Sequence, residues 1–361
     1  MSAPRVLPVS VPSRPHVALL GSGLLARAGE FARTVLEPAC VAVITDENVG
    51  GHYLEAFLEA LTEHDFTPFA VVVHPGEESK SIAECERIWT HFGEAGLERS
   101  GAVFALGGGV VGDLAGYCAA SWMRGVPLVQ VPTTTLAISD SSIGGKTGVN
   151  TALGKNLVGA FHQPHLVLAD VDTLATLPRR ECAAGLAEVV KCALLEQRAA
   201  LTILRKNATD VLGAAPEATL DAMAMAAGVK IRHVVDDPHE TRGKRALLNL
   251  GHTTAHALEC ERGYGAWCHG EAVAVGLVVA CRIAAARGLC DRALTATVTT
   301  TLEALELPVA LPDDVDRDEL LVHARADKKR QHGVHRMVLP LADGGADLFD
   351  VGDDEFAAAL R

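Results

Sequence analysis

The feature that most constrains the fold of this sequence is a change of pattern about halfway along its 361 residues. In the first half, apolar runs rich in Val and Ile alternate with amphipathic segments. We predict buried strands at 40–46, 69–74, 101–109 and 126–135. Strands and helices that alternate at this short spacing predict a parallel, doubly wound sheet.

The second half follows a different pattern. From about residue 174 onward, long amphipathic segments rich in Ala, Leu and Glu replace the strand-like runs. We predict helices at 179–196, 216–236, 251–262, 269–288 and 292–305, and a late strand at 336–342. The predicted fold class is therefore α/β, with a Rossmann-like parallel-sheet domain over residues 1–174 and a mainly α-helical domain over residues 175–361.

The composition indicates which kinds of molecule the protein can bind. A formal net charge of −13 argues against nucleic acid and anionic membranes, although a locally basic pocket can still bind an anionic substrate. Nine cysteines at irregular spacing, without a CxxC pair, indicate reduced thiols rather than a disulfide framework. No apolar signal segment is visible, and the apolar stretches look too short to cross a membrane. We predict a cytoplasmic protein that acts on a small molecule, with no nucleic-acid or membrane partner.

A glycine-rich turn follows the third predicted strand. LGGGVVGD (106–113) places three glycines between a strand and a helix, where the backbone can approach a phosphate and the helix N-terminus supplies N–H donors. The motif is not GxGxxG, and a tight turn without a ligand explains the glycines equally well. Asp46, at the end of the first predicted strand, can hold a ribose hydroxyl or simply occupy a turn.

A second glycine-punctuated stretch covers residues 132–156, PTTTLAISDSSIGGKTGVNTALGKN. It combines many hydroxyl groups with Asp140, Lys146 and Lys155. Flexible backbone with two lysines and many N–H groups suits phosphate binding. The GxxxxGK[ST] spacing is incomplete, so the stretch is not a Walker P-loop. We predict a phosphate-binding loop here rather than a merely solvated one.

Three histidines and a Glu–Lys pair form the strongest set of candidate site residues. Glu188 and Lys191 lie one helical turn apart in apolar sequence, where both charges are costly to bury unless they are paired or used. His252 and His256 are four residues apart and project from one helix face, and His269 precedes another apolar helix. Two histidines and a carboxylate are a common zinc set. Spacing alone does not decide which histidines bind the metal, and HTTAH is not the HExxH of zinc proteases.

Basic clusters lie next to these motifs in a chain of negative net charge. Lys244 and Arg245 precede Asn249, and Lys328 and Lys329 lie in ADKKRQHGVHR. Such clusters suggest a site for anionic groups of a substrate, although each alone is more typical of a solvated surface.

Together these motifs resemble the 3-dehydroquinate synthase family, within the sugar-phosphate cyclases, over about residues 40–340. The resemblance is carried by PGEESK, GGGVVGDLAGYCAASWMRG, QVPTTTLAISDSSIGGKTGVN, GKNLVGAFHQP, GLAEVVK, RALLNLGHT, HGEAVAVG and ADKK. It implies an N-terminal NAD-binding domain, a C-terminal metal- and substrate-binding domain, a divalent metal (zinc, or cobalt in its place) and a homodimer. It also implies the shikimate-pathway conversion of 3-deoxy-arabino-heptulosonate 7-phosphate to 3-dehydroquinate with loss of phosphate. The implied route is transient oxidation by NAD, elimination, reduction and an intramolecular aldol step.

The resemblance also implies a role for each matching residue. The metal ligands would be Glu188, His252 and His269. Substrate contacts would come from Lys146, Lys191, Asn249, His256, Arg245, Lys329, Asp140, Asn156 and Lys230. Arg124 would reach the phosphate in the other subunit's site. NAD would be lined by Asp46, Glu77, Lys80, Gly108, Gly109, Val110, Asp113, Thr133, Thr134, Lys155 and Thr176.

Other functions are left open by the residues. A secondary-metabolic cyclase (an amino-dehydroquinate synthase, or an enzyme that acts on sedoheptulose 7-phosphate or glucose 6-phosphate) shares most of the motifs. The difference is expected around Lys230 and Arg245, which would recognise the substrate carboxylate. A metal-dependent polyol dehydrogenase shares the general architecture but releases NADH. A non-enzymatic binding protein leaves the Lys–His–Glu set unexplained.

Overall fold

The computed structural model describes residues 3–37, 39–262, 267–326 and 334–361. The chain divides into two compact units, Met1–Leu177 and Pro178–Arg361. The division falls after residue 177, slightly beyond the predicted boundary at 174. Each unit has its own secondary structure and is described separately below.

The first unit is built on parallel strands. Its strands are β1 (Arg5–Val9), β2 (His16–Gly21), β3 (Cys40–Asp46), β4 (Thr67–Val73), β5 (Ala102–Gly107), β6 (Leu128–Pro132), β7 (Lys146–Thr151), β8 (Gly154–Phe161) and β9 (Leu166–Asp170). Seven of them form a sheet in the order β1-β2-β9-β6-β5-β3-β4, in which only the β1–β2 pair is antiparallel. The other two, β7 and β8, form a separate antiparallel hairpin.

Helices cover both faces of this sheet. They are α1 (Ala28–Ala32), α2 (Glu47–Thr62), α3 (Ile82–Glu94) and α4 (Gly109–Ser121). Successive side chains of β3 point to opposite faces, and both faces are buried: Val41 and Val43 join one apolar cluster, while Ala42 and Ile44 join the other. A strand buried on both faces reads as a continuous apolar run, which explains why β3, β5 and β6 were predictable.

The structure corrects several predictions for the first unit. The sequence analysis missed β1, β2 and β9, and β1 is mostly exposed, so it lacks the continuous apolar pattern of a central strand. The stretch 132–156 is not one flexible loop. It contains a π-helical turn at Ala137–Ser141, followed by β7 and the start of β8. A glycine of this stretch allows close strand contact, since a Cβ at Gly148 would lie 2.8 Å from the carbonyl oxygen of Val158 in β8.

The second unit is mainly helical, as predicted. Its elements are α5 (Arg179–Glu196), α6 (Ala199–Lys206), α7 (Ala208–Leu212), α8 (Pro216–Asp236), α9 (His252–Arg262), α10 (His269–Ala286), α11 (Arg292–Ala304), α12 (Arg317–Ala326), β10 (Val334–Pro340), β11 (Ala346–Gly352) and α13 (Asp353–Ala359). Strands β10 and β11 form an antiparallel hairpin. The sequence analysis missed the short helices α6, α7, α12 and α13 and the strand β11, whose apolar periodicity is too brief to register.

Helix α10 corrects the statement that every apolar stretch is too short to cross a membrane. It is 18 residues long and, by length and composition only, apolar enough to span one. However, 72% of it is buried inside the protein, which is typical of a core helix. It contacts α5, α9, α11, α13 and β10 within the second unit.

Candidate active site

Three potential metal ligands converge in the second unit. Glu188 lies within α5, while His252 and His269 are the first residues of α9 and α10. One ligand atom from each residue lies within 4.8 Å of the other two. Nε2 of His252 and Nε2 of His269 are each 3.7 Å from Oε1 of Glu188. Among the described residues, these three form the grouping of His, Cys, Asp and Glu donors that can hold a metal ion.

Glycines allow the helices that carry these ligands to approach each other. A Cβ on Gly270, next to His269, would lie 1.7 Å from the carbonyl oxygen of Ala184 in α5. A Cβ on Gly276 would lie 2.0 Å from the carbonyl oxygen of Gly251, next to His252. Side chains do not fit at such distances, so both contacts require glycine. The backbone thus brings α10 against both of the other ligand-bearing segments.

The donor set fits a divalent metal. Donors about 2.0–2.2 Å from a tetrahedral zinc ion lie about 3.4 Å apart, close to the 3.7 Å separations observed. Oε1 of Glu188 is buried, and no donor in the described part of the chain lies within hydrogen-bonding distance of it. A buried carboxylate oxygen without a donor is costly, and a cation between it and the two imidazoles would remove that cost.

Several charged groups lie close together around the donor set. Glu188 and Lys191 are each 1% exposed and form a close ion pair through Oε2 and Nζ. Burial raises the pKa of Glu188, but Lys191 and the two histidines hold it well below its usual range. Burial and then Lys191 lower the pKa of His252 to about 3, so this imidazole is neutral and able to bind a metal. Burial also opposes protonation of His269, but the nearby carboxylates of Glu188 and Glu259 raise its pKa to about 10.

His256 stands apart from the three ligand candidates. Its ring centroid is 5.6 Å from that of His252, one turn earlier on α9, and its side chain is exposed. The ring centroids of His252 and His269 are 5.3 Å apart. The structure therefore groups His252 with His269 and leaves His256 on the same helix face outside the ligand set.

Sequence reasoning missed Glu259. Its Oε1 lies 3.3 Å from Nδ1 of His269, the ring nitrogen opposite the one that faces Glu188. Glu259 follows His252 by seven residues and His256 by three, so all three share one stripe of α9. That spacing was available in the sequence, but the contact to His269 depends on how α9 packs against α10.

Two of the remaining predicted residues of the second unit are buried basic groups. Lys230, on α8, is 7% exposed, and Arg245, at the start of a 3₁₀ turn that ends at Asn249, is 3% exposed. Arg245 Nη1 donates to the carbonyl oxygen of Pro238 at 2.9 Å. Such burial of basic groups is unusual unless they are used or paired. The predicted substrate contact Lys329 lies outside the described residues.

A polar network joins several predicted cofactor residues in the first unit. Lys80 is 4% exposed, and its Nζ donates to Oδ2 of Asp113 at 2.8 Å and to Oδ1 of Asn156 at 2.7 Å. Glu77 lies 3.5 Å from the same ammonium group. Asn150, which sequence reasoning missed, donates to Glu77 at 2.8 Å and accepts from the backbone N–H of Asn156 at 3.0 Å. Burial raises the pKa of Asp113, although Lys80 opposes that rise.

Other predicted cofactor residues lie where parallel strands end. The carboxyl ends of β3, β5 and β6 are neighbours in the sheet, and the crevice at that edge is where ligands bind in such folds. The predicted residues near that edge are Asp46, Gly108, Gly109, Val110, Thr133 and Thr134. Asp46 caps α2 by accepting from the N–H of Val49 at 2.9 Å. The hydroxyl of Thr133 is buried without a hydrogen-bond partner in the described residues. Thr176 contacts Tyr53, with 2.7 Å between their hydroxyl oxygens.

The predicted substrate residues of the first unit lie on three different elements. Asp140 is in the π-helical turn, Lys146 begins β7, and Asn156 lies in β8 beside the predicted cofactor residue Lys155. Asn156 has a φ of 54° and contacts Lys80, which was predicted to contact the cofactor rather than the substrate.

Arg124 lies in a strained, exposed turn. Met123 and Arg124 have φ values of 48° and 66°, and Gly125 follows with a φ of 116°. Two successive non-glycine residues in the left-handed region cost about 1–3 kcal/mol each, and such strain is commonly retained at functional sites. The preceding Trp122 anchors the turn through a 3.0 Å hydrogen bond from its indole N–H to the carbonyl oxygen of Leu97.

Comparisons with known proteins agree with these features. Residues 70–184 match the family model 3-dehydroquinate synthase N-terminal, and residues 185–330 match the model 3-dehydroquinate synthase C-terminal. The 3-dehydroquinate synthase of Symbiobacterium thermophilum is 46% identical over 327 residues, which cover 90% of this chain and 91% of that protein.

Two solved structures are also similar. One is 2-epi-5-epi-valiolone synthase from Streptomyces hygroscopicus subsp. jinggangensis 5008, with NAD⁺ and Zn²⁺ bound. It is 29% identical, with a TM-score of 0.87 over 96% of this chain and 95% of that one. The other is 2-deoxy-scyllo-inosose synthase complexed with carbaglucose-6-phosphate, NAD⁺ and Co²⁺. It is 25% identical, with a TM-score of 0.88 over 99% of both chains.

Proposed function

The chain belongs to the 3-dehydroquinate synthase family, and from this membership we propose that it converts 3-deoxy-arabino-heptulosonate 7-phosphate to 3-dehydroquinate with loss of phosphate. The observation that carries the proposal is the convergence of Glu188, His252 and His269 beside Lys191, with Glu188 and Lys191 fully buried. A buried ion pair beside two imidazoles is costly for a merely structural role and suits metal-assisted chemistry.

The three converging residues are proposed to hold a divalent metal, zinc or cobalt, and the network around Lys80 is proposed to line NAD. When bound, these two groups supply a Lewis acid for an alcohol oxygen and a reversible hydride acceptor. The chain's own contribution is to orient the substrate and to move protons. Lys191 places an ammonium group in a dry site, and His256 presents an imidazole from the same helix face as His252.

Basic and polar groups of the chain are proposed to recognise the substrate. In the second unit, Lys230 and Arg245 would pair with the substrate carboxylate, and Asn249 and Lys329 would complete the contacts. In the first unit, Lys146, Asp140 and Asn156 would bind hydroxyl and phosphate groups. Buried guanidinium and ammonium groups bind carboxylate and phosphate strongly because water competes little there.

We further propose a homodimer in the cytoplasm in which each subunit lends Arg124 to its partner's phosphate site. The strained turn that presents Arg124, and the 44% exposure of the neighbouring apolar Met123, support this assignment. An exposed arginine on a rigid, anchored turn is suited to reach an anion held by another chain.

A second candidate function is a cyclase of another sugar phosphate, because two such enzymes share the fold over nearly the whole chain. The lower identities to these enzymes, 29% and 25% against 46%, favour the dehydroquinate synthase reaction. The test is phosphate release by purified protein with NAD and Zn²⁺ from three substrates in parallel. We expect release from the heptulosonate phosphate, and release only from sedoheptulose 7-phosphate or glucose 6-phosphate would reject the proposal.

A further inference from the structure

Glu259 contacts the imidazole of His269 on the side that faces away from Glu188. We propose that Glu259 is a positioning residue for the metal: it fixes the tautomer and orientation of His269 so that Nε2 presents a lone pair to the ion. The inference rests on the metal site of the proposed function, and it assigns a role to a residue outside the expected ligand set.

The geometry of the ring supports this role. Nδ1 of His269 lies 3.3 Å from Oε1 of Glu259, while Nε2 lies 3.7 Å from Oε1 of Glu188. A neutral imidazole carries one N–H, and a carboxylate that accepts it at Nδ1 leaves the lone pair on Nε2. Metal-bound histidines commonly donate their second N–H to a carboxylate, and this contact strengthens the ligand.

His252 provides an internal comparison. Its Nδ1 lies 3.2 Å from the carbonyl oxygen of Leu250, and its Nε2 faces Glu188 in the same way. Both imidazoles are thus held at Nδ1 by an acceptor and turn Nε2 toward one carboxylate oxygen. For His252 the acceptor is backbone, whereas for His269 it is a side chain. Only the second contact can be removed by substitution.

The burial of Glu259 and the packing of its helix also favour the contact with His269. Its side chain is 13% exposed, so water competes little for its oxygens. It lies two turns after His252 on α9, and α9 packs against α10, which begins at His269. The stripe of α9 that carries His252 therefore also supplies the acceptor for the ligand on the neighbouring helix.

The experiment measures metal binding directly, without substrate. Glu259→Gln keeps the shape and a neutral acceptor, while Glu259→Ala removes the acceptor. Glu303→Gln, an exposed site on α11, is the matched control for the loss of one negative charge. Zn²⁺ affinity is measured by competition with a chromogenic chelator, and Co²⁺ is used to record the ligand-field spectrum of the site. Thermal unfolding of the metal-free proteins reports on folding separately.

We expect a graded weakening of Zn²⁺ binding, by about 10-fold for Glu259→Gln and up to about 100-fold for Glu259→Ala, with one ion still bound per chain. The Co²⁺ spectrum should change in both variants and stay unchanged in Glu303→Gln. Affinities within twofold of the wild type in both Glu259 variants would overturn the proposal. So would a weakening that tracks only a loss of stability of the metal-free protein.

These outcomes are separable from the proposed function. If the wild type binds metal tightly and the graded series appears, but no sugar phosphate is cyclised, the positioning role stands and the reaction is wrong. If the heptulosonate phosphate is cyclised and the Glu259 variants keep wild-type affinity and spectrum, the reaction stands and the positioning role is wrong.

Discussion

Replacing Gly270 by alanine is expected to disrupt the candidate metal site without touching any ligand. A Cβ at this position would lie 1.7 Å from the carbonyl oxygen of Ala184 and 2.4 Å from its carbonyl carbon. Ordinary contacts are 3.4 Å or longer, so the two segments must separate by about 1.7 Å. Gly270 adjoins His269, and Ala184 lies one turn before Glu188, so the separation falls directly on two of the three ligands.

Helix α5 has little room to absorb this shift, because every residue from Cys182 to Leu195 is buried. Metal sites tolerate ligand distances within about 0.2 Å, so a displacement several times larger should abolish tight binding. We expect Gly270→Ala to weaken Zn²⁺ affinity by at least about 100-fold, equivalent to about 2.8 kcal/mol. Overpacking should also lower the free energy of unfolding by about 1–3 kcal/mol.

The matched control is Gly228→Ala, within α8 of the same unit. Its Cβ would lie 3.6 Å from Nη1 of Arg232, an ordinary contact with the end of a flexible side chain. This variant should bind Zn²⁺ normally and gain about 0.5–1 kcal/mol of stability. The assays are chelator competition for Zn²⁺ and urea unfolding of the metal-free proteins. Wild-type Zn²⁺ affinity in Gly270→Ala would refute the steric reasoning.

Three further predictions test other parts of the account. Glu188→Ala should lose stoichiometric metal and activity together, since it removes the ligand that faces both imidazoles; metal analysis after gel filtration checks this, and one retained ion per chain would contradict it. Mixing inactive Arg124→Ala and Glu188→Ala subunits should restore about a quarter of wild-type activity, because half of the dimers are mixed and each mixed dimer has one intact site; no recovery after verified subunit exchange would contradict the shared site. Asp353→Asn should lower the free energy of unfolding by about 1 kcal/mol near pH 7, because it weakens contacts with Arg325 and His335. Hydrogen bonding with Arg325 holds the Asp353 pKa below its usual range, so the urea-midpoint difference should shrink as pH falls below about 4. An undiminished difference at acid pH would contradict this last prediction.

The sequence alone predicts those strands that are built from continuous apolar runs. Strands β3, β5 and β6 are buried on both faces, and their continuous apolar runs predict them without any knowledge of neighbours. The edge strand β4 is buried on one face only, but its run of three valines still predicts a strand. The exposed edge strand β1 and the glycine-rich hairpin of β7 and β8 lack that pattern. The pairing of β7 with β8 depends on close backbone contact at Gly148 and Gly159, and the presence of glycines alone does not predict that contact.

The candidate site likewise has residues that the sequence predicts and contacts that only the structure reveals. Glu188, Lys191 and the histidines stand out because polar groups in apolar helices are costly. The contact between Glu259 and His269 depends on how two helices pack. The network of Lys80, Asp113 and Asn156 joins residues as many as 76 positions apart in the chain. Spacing along one element cannot reveal such contacts, although family resemblance pointed to the members of the network individually.

The most direct test of the central claim follows phosphate and NADH in the same reaction. Purified protein is given Zn²⁺, a stoichiometric amount of NAD and an excess of 3-deoxy-arabino-heptulosonate 7-phosphate. The proposed function predicts many turnovers of phosphate release, matched by formation of 3-dehydroquinate, with no accumulation of NADH at 340 nm beyond the enzyme-bound level. NADH that builds up in proportion to substrate consumed, without phosphate release, would contradict the account and identify a dehydrogenase.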